Sequence, residues 1–324
     1  MKAARAPARP AAALLAAALL AAILPAAGRA GAAEASAPPL RVTLGYVPSS
    51  AFLAAYAARE RGIFARHGLD VSFDMVSQVA LLRSALAAGT VQIATLNVPA
   101  LLRVDDDRDR LVIVAGAARQ TAAHSTAGIV AGAKSNIHAA ADFQGRKVGV
   151  PGLNGVNHLA FMQWLQDRGA DPRRVRYVAV LLPRMDELLK TGAIDAAVPV
   201  GPFLPRMLED GSAVLIARFP DGAEPDYIEA AYAMRRSWVR EHPEAVAAFR
   251  DSLREALRWI AEKPQEAQRV EMRYLKIGES AALSAPLPEL VVDVTAADVQ
   301  YWIDLCRRFG VTRGRLLPGD VLAD

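Results

Sequence analysis

The 324-residue chain has one cysteine, Cys306, and five histidines, at positions 67, 124, 138, 158 and 242. A single cysteine excludes an intramolecular disulfide and any cysteine-based metal cluster, and the histidines show no metal-ligand spacing. Cys306 lies in Tyr301-Trp-Ile-Asp-Leu-Cys, on the apolar face of a predicted helix, where a buried structural thiol is expected rather than a nucleophile. No Ser-His-Asp or Cys-His set can be assembled, so neither catalysis nor a cofactor or metal is expected. A large excess of one charge sign is missing as well. The formal net charge is +4, and Lys2, Arg5, Arg9 and Arg29 against Glu34 supply +3 of it, so the chain beyond residue 35 is nearly neutral and nothing points to nucleic acid.

Also missing is an apolar run long enough to span a bilayer, which takes about 20 residues. Ala11–Leu24 has 14 and is preceded by the basic residues Lys2, Arg5 and Arg9, then closed by Pro25 and small residues. That pattern predicts a cleaved secretory signal over residues 1–35, with cleavage after Ala30, Ala33 or Ala35 left open. With no cysteine nearby, a lipoprotein anchor is excluded, and the expected location is periplasmic or extracellular.

What is present is a pattern stated twice. Arg41-Val-Thr-Leu-Gly-Tyr-Val-Pro-Ser-Ser leads into a helix-like run ending at Arg61-Gly62, the strand-like stretch 69–76, and then Ala85-Leu-Ala-Ala-Gly-Thr-Val-Gln-Ile-Ala-Thr with Pro99. Arg146-Lys-Val-Gly-Val-Pro-Gly-Leu-Asn-Gly begins the same series 105 residues further on, through Arg168-Gly169, the stretch 175–182, Leu188-Leu-Lys-Thr-Gly-Ala-Ile-Asp-Ala-Ala-Val and Pro202. Short apolar strands alternating with helical patterns predict a parallel sheet in each unit, with strand-to-helix loops gathered at one edge. The second unit is bracketed by strand patterns of the first, so residues 125–224 read as a lobe inserted into another made of 38–124 plus 225–324. Two crossings make a hinge. Pro243 and Pro264 suit first helical positions, Thr295-Ala-Ala-Asp resembles a capping box before a helix stopping at Gly310, and these helices are expected to pack outside the first lobe. The charge run Asp105-Asp-Asp-Arg-Asp-Arg lacks the glycine and distal glutamate of a calcium loop and reads as a solvated turn. Gly149-Val-Pro-Gly-Leu-Asn-Gly is not followed by the Gly-Lys-Ser/Thr of a phosphate loop.

Five phrases carry a family resemblance: Tyr56-Ala-Ala-Arg-Glu-Arg-Gly-Ile-Phe-Ala-Arg-His-Gly-Leu-Asp-Val, Leu86-Ala-Ala-Gly-Thr-Val-Gln-Ile-Ala, Asp142-Phe-Gln-Gly-Arg-Lys-Val-Gly-Val, Thr191-Gly-Ala-Ile-Asp-Ala-Ala-Val and His242-Pro-Glu-Ala-Val. Together, over residues 40 to 275, they resemble the nitrate/sulfonate/taurine group of ABC-transporter substrate-binding proteins, which shares its domain with thiamine-pyrimidine synthesis proteins. The resemblance implies an α/β, type II periplasmic binding protein fold, with two α/β lobes, a two-crossing hinge and a ligand cleft between them. It implies a small-molecule ligand, delivery to an ABC permease with its ATPase subunit, membrane contact only through that permease, and a monomer. A periplasmic enzyme or ligand sensor on the same fold is the alternative, although the cysteine-rich motif of the thiamine-pyrimidine synthases is absent.

Loop geometry and the family pattern together nominate the pocket. Loops after the first strand of each unit supply Ser49, Ser50 and Phe52 on one side and Asn154, Val156 and Asn157 on the other. Asn154 could equally be an N-cap, and His158 a ligand contact. The second loops give Ser77 and Gln78 opposite Arg184, which could also be a solvated helix-start residue; the third give Asn97 opposite Gly201 and Phe203. With Arg119 at the first crossing and no acidic residue nearer than Glu229, the balance favours an anionic organic ligand, a sulfonate or carboxylate.

Overall fold

A computed structural model describes residues 38–76, 79–103, 111–209, 211–222, 224–279, 283, 286–312 and 315–323. The segment 1–35, the charge run at 105–110, and the candidate site residues Ser77 and Gln78 lie outside the described residues.

Two sheets organise the chain. The first contains β1 (Leu40–Tyr46), β2 (Leu69–Met75), β3 (Ile93–Leu96), β4 (Leu111–Gln120), β10 (Tyr227–Arg235) and β11 (Glu289–Leu290), in the order β11-β4-β10-β3-β1-β2. The second contains β5 (Gly128–Gly132), β6 (Lys147–Val150), β7 (Arg176–Ala179), β8 (Ala196–Ala197) and β9 (Ala213–Arg218), in the order β7-β6-β8-β5-β9. The repeat seen in the sequence is thus a repeat in space: β2-β1-β3 and β7-β6-β8 are both parallel trios with the first strand of the unit in the middle.

Neither sheet is wholly parallel, contrary to the sequence expectation. β10 runs antiparallel to both β3 and β4, and β5 antiparallel to both β8 and β9. The reason is topological. A strand that arrives from the other sheet enters at the edge where the parallel strands end, and must therefore run against them.

The helices are α1 (Leu53–Glu60), α2 (Ile63–Arg66), α3 (Val79–Ala88), α4 (Val98–Leu102), α5 (Val156–Asp167), α6 (Leu182–Lys190), α7 (Phe203–Glu209), α8 (Arg236–Glu241), α9 (Pro243–Glu262), α10 (Pro264–Leu275) and α11 (Ala296–Arg308). Pro243 and Pro264 occupy first helical positions, where no N–H is needed, and Thr295 with Asp298 forms the expected capping box. α9 buries Val246, Phe249, Leu253, Ala256 and Ile260, a spacing of three and four that keeps one face apolar. That face meets α1 and α2, with Phe249 stacked on Phe64 at 5.7 Å between centroids. Beside it Tyr56 of α1 stacks on Tyr274 of α10 at 4.1 Å. All four residues of β3 are buried, as a strand covered on both faces requires.

α11 departs from the expectation that the C-terminal helices cover only the first unit. It packs on α4 and β10, where Trp302 donates from Nε1 to the Ile228 carbonyl at 2.7 Å, and it also reaches α5 of the second unit, where Arg308 bonds Gln163 at 2.7 Å. One contiguous buried cluster accordingly runs from Leu96 and Val98 through Trp302 and Ile303 to Phe161 and Trp164. Cys306 is fully buried within it, and burial pushes its thiol up to about 12, which leaves it inert.

Candidate functional site

The direction of the strands decides which surfaces meet. β1, β2 and β3 end at one edge of the first sheet, where Tyr46 stands level with Met75. β4 runs parallel to them and ends at Gln120, opposite Tyr227 at the start of β10. In the second sheet β5 starts, and β9 stops, at the edge where β6 and β8 end, since Gly128 pairs with Arg218 and its N–H reaches Pro199 just beyond β8. Both chain crossings, between Gln120 and Gly128 and between Arg218 and Tyr227, therefore join the two carboxyl-terminal edges. The strand-to-helix loops stand on the two edges that the crossings connect, the place where α/β sheets bind ligands beyond their strand ends.

On the first edge, Ser49 caps a short 3-10 turn, its hydroxyl accepting from the Ala51 N–H at 3.3 Å while its own N–H donates to the Tyr56 hydroxyl at 3.3 Å. Ser50 is half-buried and its hydroxyl bonds Glu271 of α10, a carboxyl that is 4% exposed and raised by burial despite that bond. Asn97 caps α4, with Oδ1 accepting from the Ala100 N–H at 2.9 Å. Phe52, nominated as a pocket wall, is buried edge-on to Tyr232 at 5.7 Å and belongs to the core.

On the second edge Asn154 adopts a left-handed conformation, φ 59°, and its N–H donates to His158 Nδ1 at 2.8 Å. Gly155, not Asn154, is the residue that caps α5. Val156 is buried and Asn157 half-buried. His158 is buried edge-on to Tyr177 at 4.2 Å, and burial lowers it to about 4, so the ring is neutral; because Nδ1 accepts, the proton belongs on Nε2. Gly201 donates its N–H to the Thr126 carbonyl at 2.8 Å, and Phe203 opens α7.

The two cationic candidates are engaged elsewhere. Arg119 forms a two-pronged pair with Asp298 at the start of α11, 2.8 Å from Nη1 to Oδ1 and 3.0 Å from Nη2 to Oδ2, and its formal charge is matched there. Arg184 sits in the first turn of α6 with its side chain 63% exposed and 3.8 Å from Glu187, as the solvated alternative anticipated. Ser49, Ser50, Asn97, Asn154, Asn157, Gly201 and Phe203 thus lie on the two edges that the crossings join, whereas Arg119 is held by Asp298 and Arg184 is largely solvated. The loops 47–52, 96–99, 151–157 and 198–203 contain no charged residue at all.

Sequence reasoning missed Glu271 under Ser50 and set Glu229, at the second crossing, aside as distant. Glu229 Oε2 accepts from Gln120 Nε2 at 2.6 Å, and burial raises its pKa. Two breaks in the hydrophobic pattern, an acid inside the apolar strand Tyr227–Arg235 and another on the buried face of α10, were the available signal.

A family model described as NMT1/THI5 like matches residues 49–267. The chain belongs to the NMT1/THI5-like family. One relative is the formylaminopyrimidine-binding protein of Halalkalibacterium halodurans, 25% identical over 235 residues that make up 71% of this chain and 69% of that protein. Among solved structures, the periplasmic nitrate-binding protein NrtA of Synechocystis superposes with a TM-score of 0.72 at 17% identity, covering 86% of this chain and 83% of its own. The alkanesulfonate-binding protein SsuA of Xanthomonas axonopodis pv. citri, bound to MOPS, gives 0.73 at 16% identity, covering 89% and 99%. These likenesses establish the two-lobe α/β fold of periplasmic binding proteins for this NMT1/THI5-like chain.

Proposed function

We propose that this protein is the solute-binding component of an ABC importer, capturing one small organic molecule between its two carboxyl-terminal sheet edges and handing it to a membrane permease and its ATPase subunit. In this reading residues 38–124 plus 225–324 form one lobe, 125–224 the other, and residues 1–35 are a signal removed on export to the periplasm. The protein binds and releases its solute without turnover.

The solute is a neutral or weakly basic heterocycle of the aminopyrimidine class. The observation that carries this reading is the absence of formal charge from the four described loops, with Arg119 already paired to Asp298 and Arg184 largely exposed. The formylaminopyrimidine-binding relative supports the same class. Ser49, Ser50, Asn97, Asn154 and Asn157 supply the hydrogen bonds, together with Ser77 and Gln78 from the adjoining loop, and Phe203 and Gly201 the apolar wall. A sulfonate or carboxylate is the competing class, favoured by the amide groups at the start of α5.

Calorimetry and thermal melts of the protein with formylaminopyrimidine, aminopyrimidines, alkanesulfonates, carboxylates and nitrate decide between them. A bound solute at about 100 times its dissociation constant adds roughly 2.7 kcal/mol. The expected result is stabilisation by a pyrimidine and none by the anions; stabilisation by a sulfonate alone overturns the heterocycle reading, and accumulation of a product overturns transport.

A further inference from the structure

Glu229 occupies a position that no loop argument would reach. It lies two residues into β10, immediately after the second crossing, and its partner Gln120 is the last residue of β4, immediately before the first. Gln120 is 1% exposed and its amide is saturated: Oε1 accepts from the Thr126 N–H at 2.9 Å, while Nε2 donates to Thr126 Oγ1 at 2.7 Å and to Glu229 Oε2 at 2.6 Å. Since the Thr126 N–H can only donate, the orientation of this amide is fixed, and with it the carboxyl oxygen that Gln120 holds. Glu229 Oε1 has no hydrogen bond among the described residues, yet the residue is half-buried rather than sealed. Oε1 is not one of the fully buried side-chain atoms left without a partner, so it is open to approach, and a donor brought by a ligand can pair with it in place of water. The location fits, because the Thr126 carbonyl takes the N–H of Gly201, so a chain of three hydrogen bonds links Glu229 to the loop 198–203.

We propose that Glu229 is the specificity-determining group of the cleft, accepting through Oε1 a hydrogen bond from the exocyclic amine or ring N–H of the solute, with Gln120 as its positioning residue. This rests on the aminopyrimidine reading above and adds the group that selects it. Against uncharged loops, this carboxyl favours a donor or a cation and repels sulfonate and carboxylate. Burial raises its pKa, which agrees with a carboxyl that lacks a cationic partner.

The test compares 2-methyl-4-aminopyrimidine with 2,4-dimethylpyrimidine, in which a methyl replaces the amine and the ring carries no N–H, by calorimetry on the parent and on Glu229→Gln. In the variant the side-chain carbonyl keeps the bond from Gln120 and an –NH2 replaces Oε1, so donor meets donor. The amine is expected to weaken by about 10- to 150-fold while the methyl compound binds equally or more tightly, with an unchanged melt of the free protein. If both compounds weaken alike, Glu229 only braces the crossings and the proposal fails. If the amine binds the variant like the parent, the proposal fails while the aminopyrimidine reading stands. If neither compound nor formylaminopyrimidine binds the parent, that reading falls and takes this one with it. The parent alone provides a check that does not depend on the variant folding: it should prefer the amine by at least about 10-fold, and equal affinity refutes the assignment.

Discussion

Replacing Arg119 by methionine separates the two roles that its position allows. The guanidinium makes two bonds to Asp298, at 2.8 and 3.0 Å, with side-chain exposures of 22% for Arg119 and 6% for Asp298. A hydrogen bond to a charged group contributes about 1.5–3 kcal/mol, and an unpaired buried charge costs more. Here the loss is moderated, because Asp298 Oδ2 keeps the Thr295 N–H at 2.8 Å and the Thr295 hydroxyl at 2.8 Å, and because Arg119 is partly hydrated. The expected destabilisation is about 2 kcal/mol, a fall in Tm of about 3 °C for a chain of this size. Solute affinity should stay within about twofold of the parent. Burial alone would raise Asp298, but the bonds from Arg119 and Thr295 outweigh it and hold the carboxyl below its ordinary 3.8. A depressed folded pKa gives stability that is complete above the unfolded value and lost as pH falls through the folded one, so the difference in Tm between parent and variant should narrow below about pH 4. An unchanged Tm combined with a tenfold loss of solute affinity would refute this reasoning and return Arg119 to the binding site.

Two further outcomes follow from buried groups. His158 is held near 4 against an ordinary 6.5, so the unfolded chain takes up a proton before the folded one, and stability is lost as pH falls from about 6.5 toward 4. At pH 5 that cost is about 2 kcal/mol, and His158→Gln should flatten the melting profile between pH 7 and pH 5; a slope identical to the parent's would mean the ring is solvated. At Gly45 a Cβ would stand 2.6 Å from Leu82 Cδ2 and 3.2 Å from Val91, in the contact between β1 and α3, so Gly45→Ala should cost about 1–3 kcal/mol in chemical denaturation, and a cost under about 0.5 kcal/mol would show that Leu82 repacks freely.

The repeat, the strands of both parallel trios and the starts of α9, α10 and α11 were legible because each is written in local patterns of apolar residues, proline at the first helical position and, for α11, capping side chains. Interactions between distant stretches were not. Arg119 meets Asp298 across 179 residues and Gln120 meets Glu229 across 109, and neither pairing leaves a local trace. Arg119 therefore read as a free cation for an anionic ligand, when the pairing that neutralises it lay in the capping box of α11. Glu229 read as remote because a strand's neighbours in sequence say nothing of which crossing it adjoins. α11 looked like a cover for one unit because its apolar stripe does not reveal that Arg308, one turn beyond, would reach Gln163 of the other.

If the chain carries a planar solute, as proposed, the duplicated 2-1-3 arrangement of the parallel trios has a consequence for how that solute sits. Two sets of loops with the same strand order, on the edges that the crossings join, would offer the proposed flat ring two similar poses related by a half-turn. A carrier that tolerated both would present its cargo to the permease in a scrambled orientation. The crossings are the one part of the arrangement that the duplication does not repeat, since the first sheet sends out β4 and receives β10 while the second receives β5 and sends out β9. A polar group rooted there lifts the degeneracy and turns a symmetric clamp into one that reads which end of the molecule it holds.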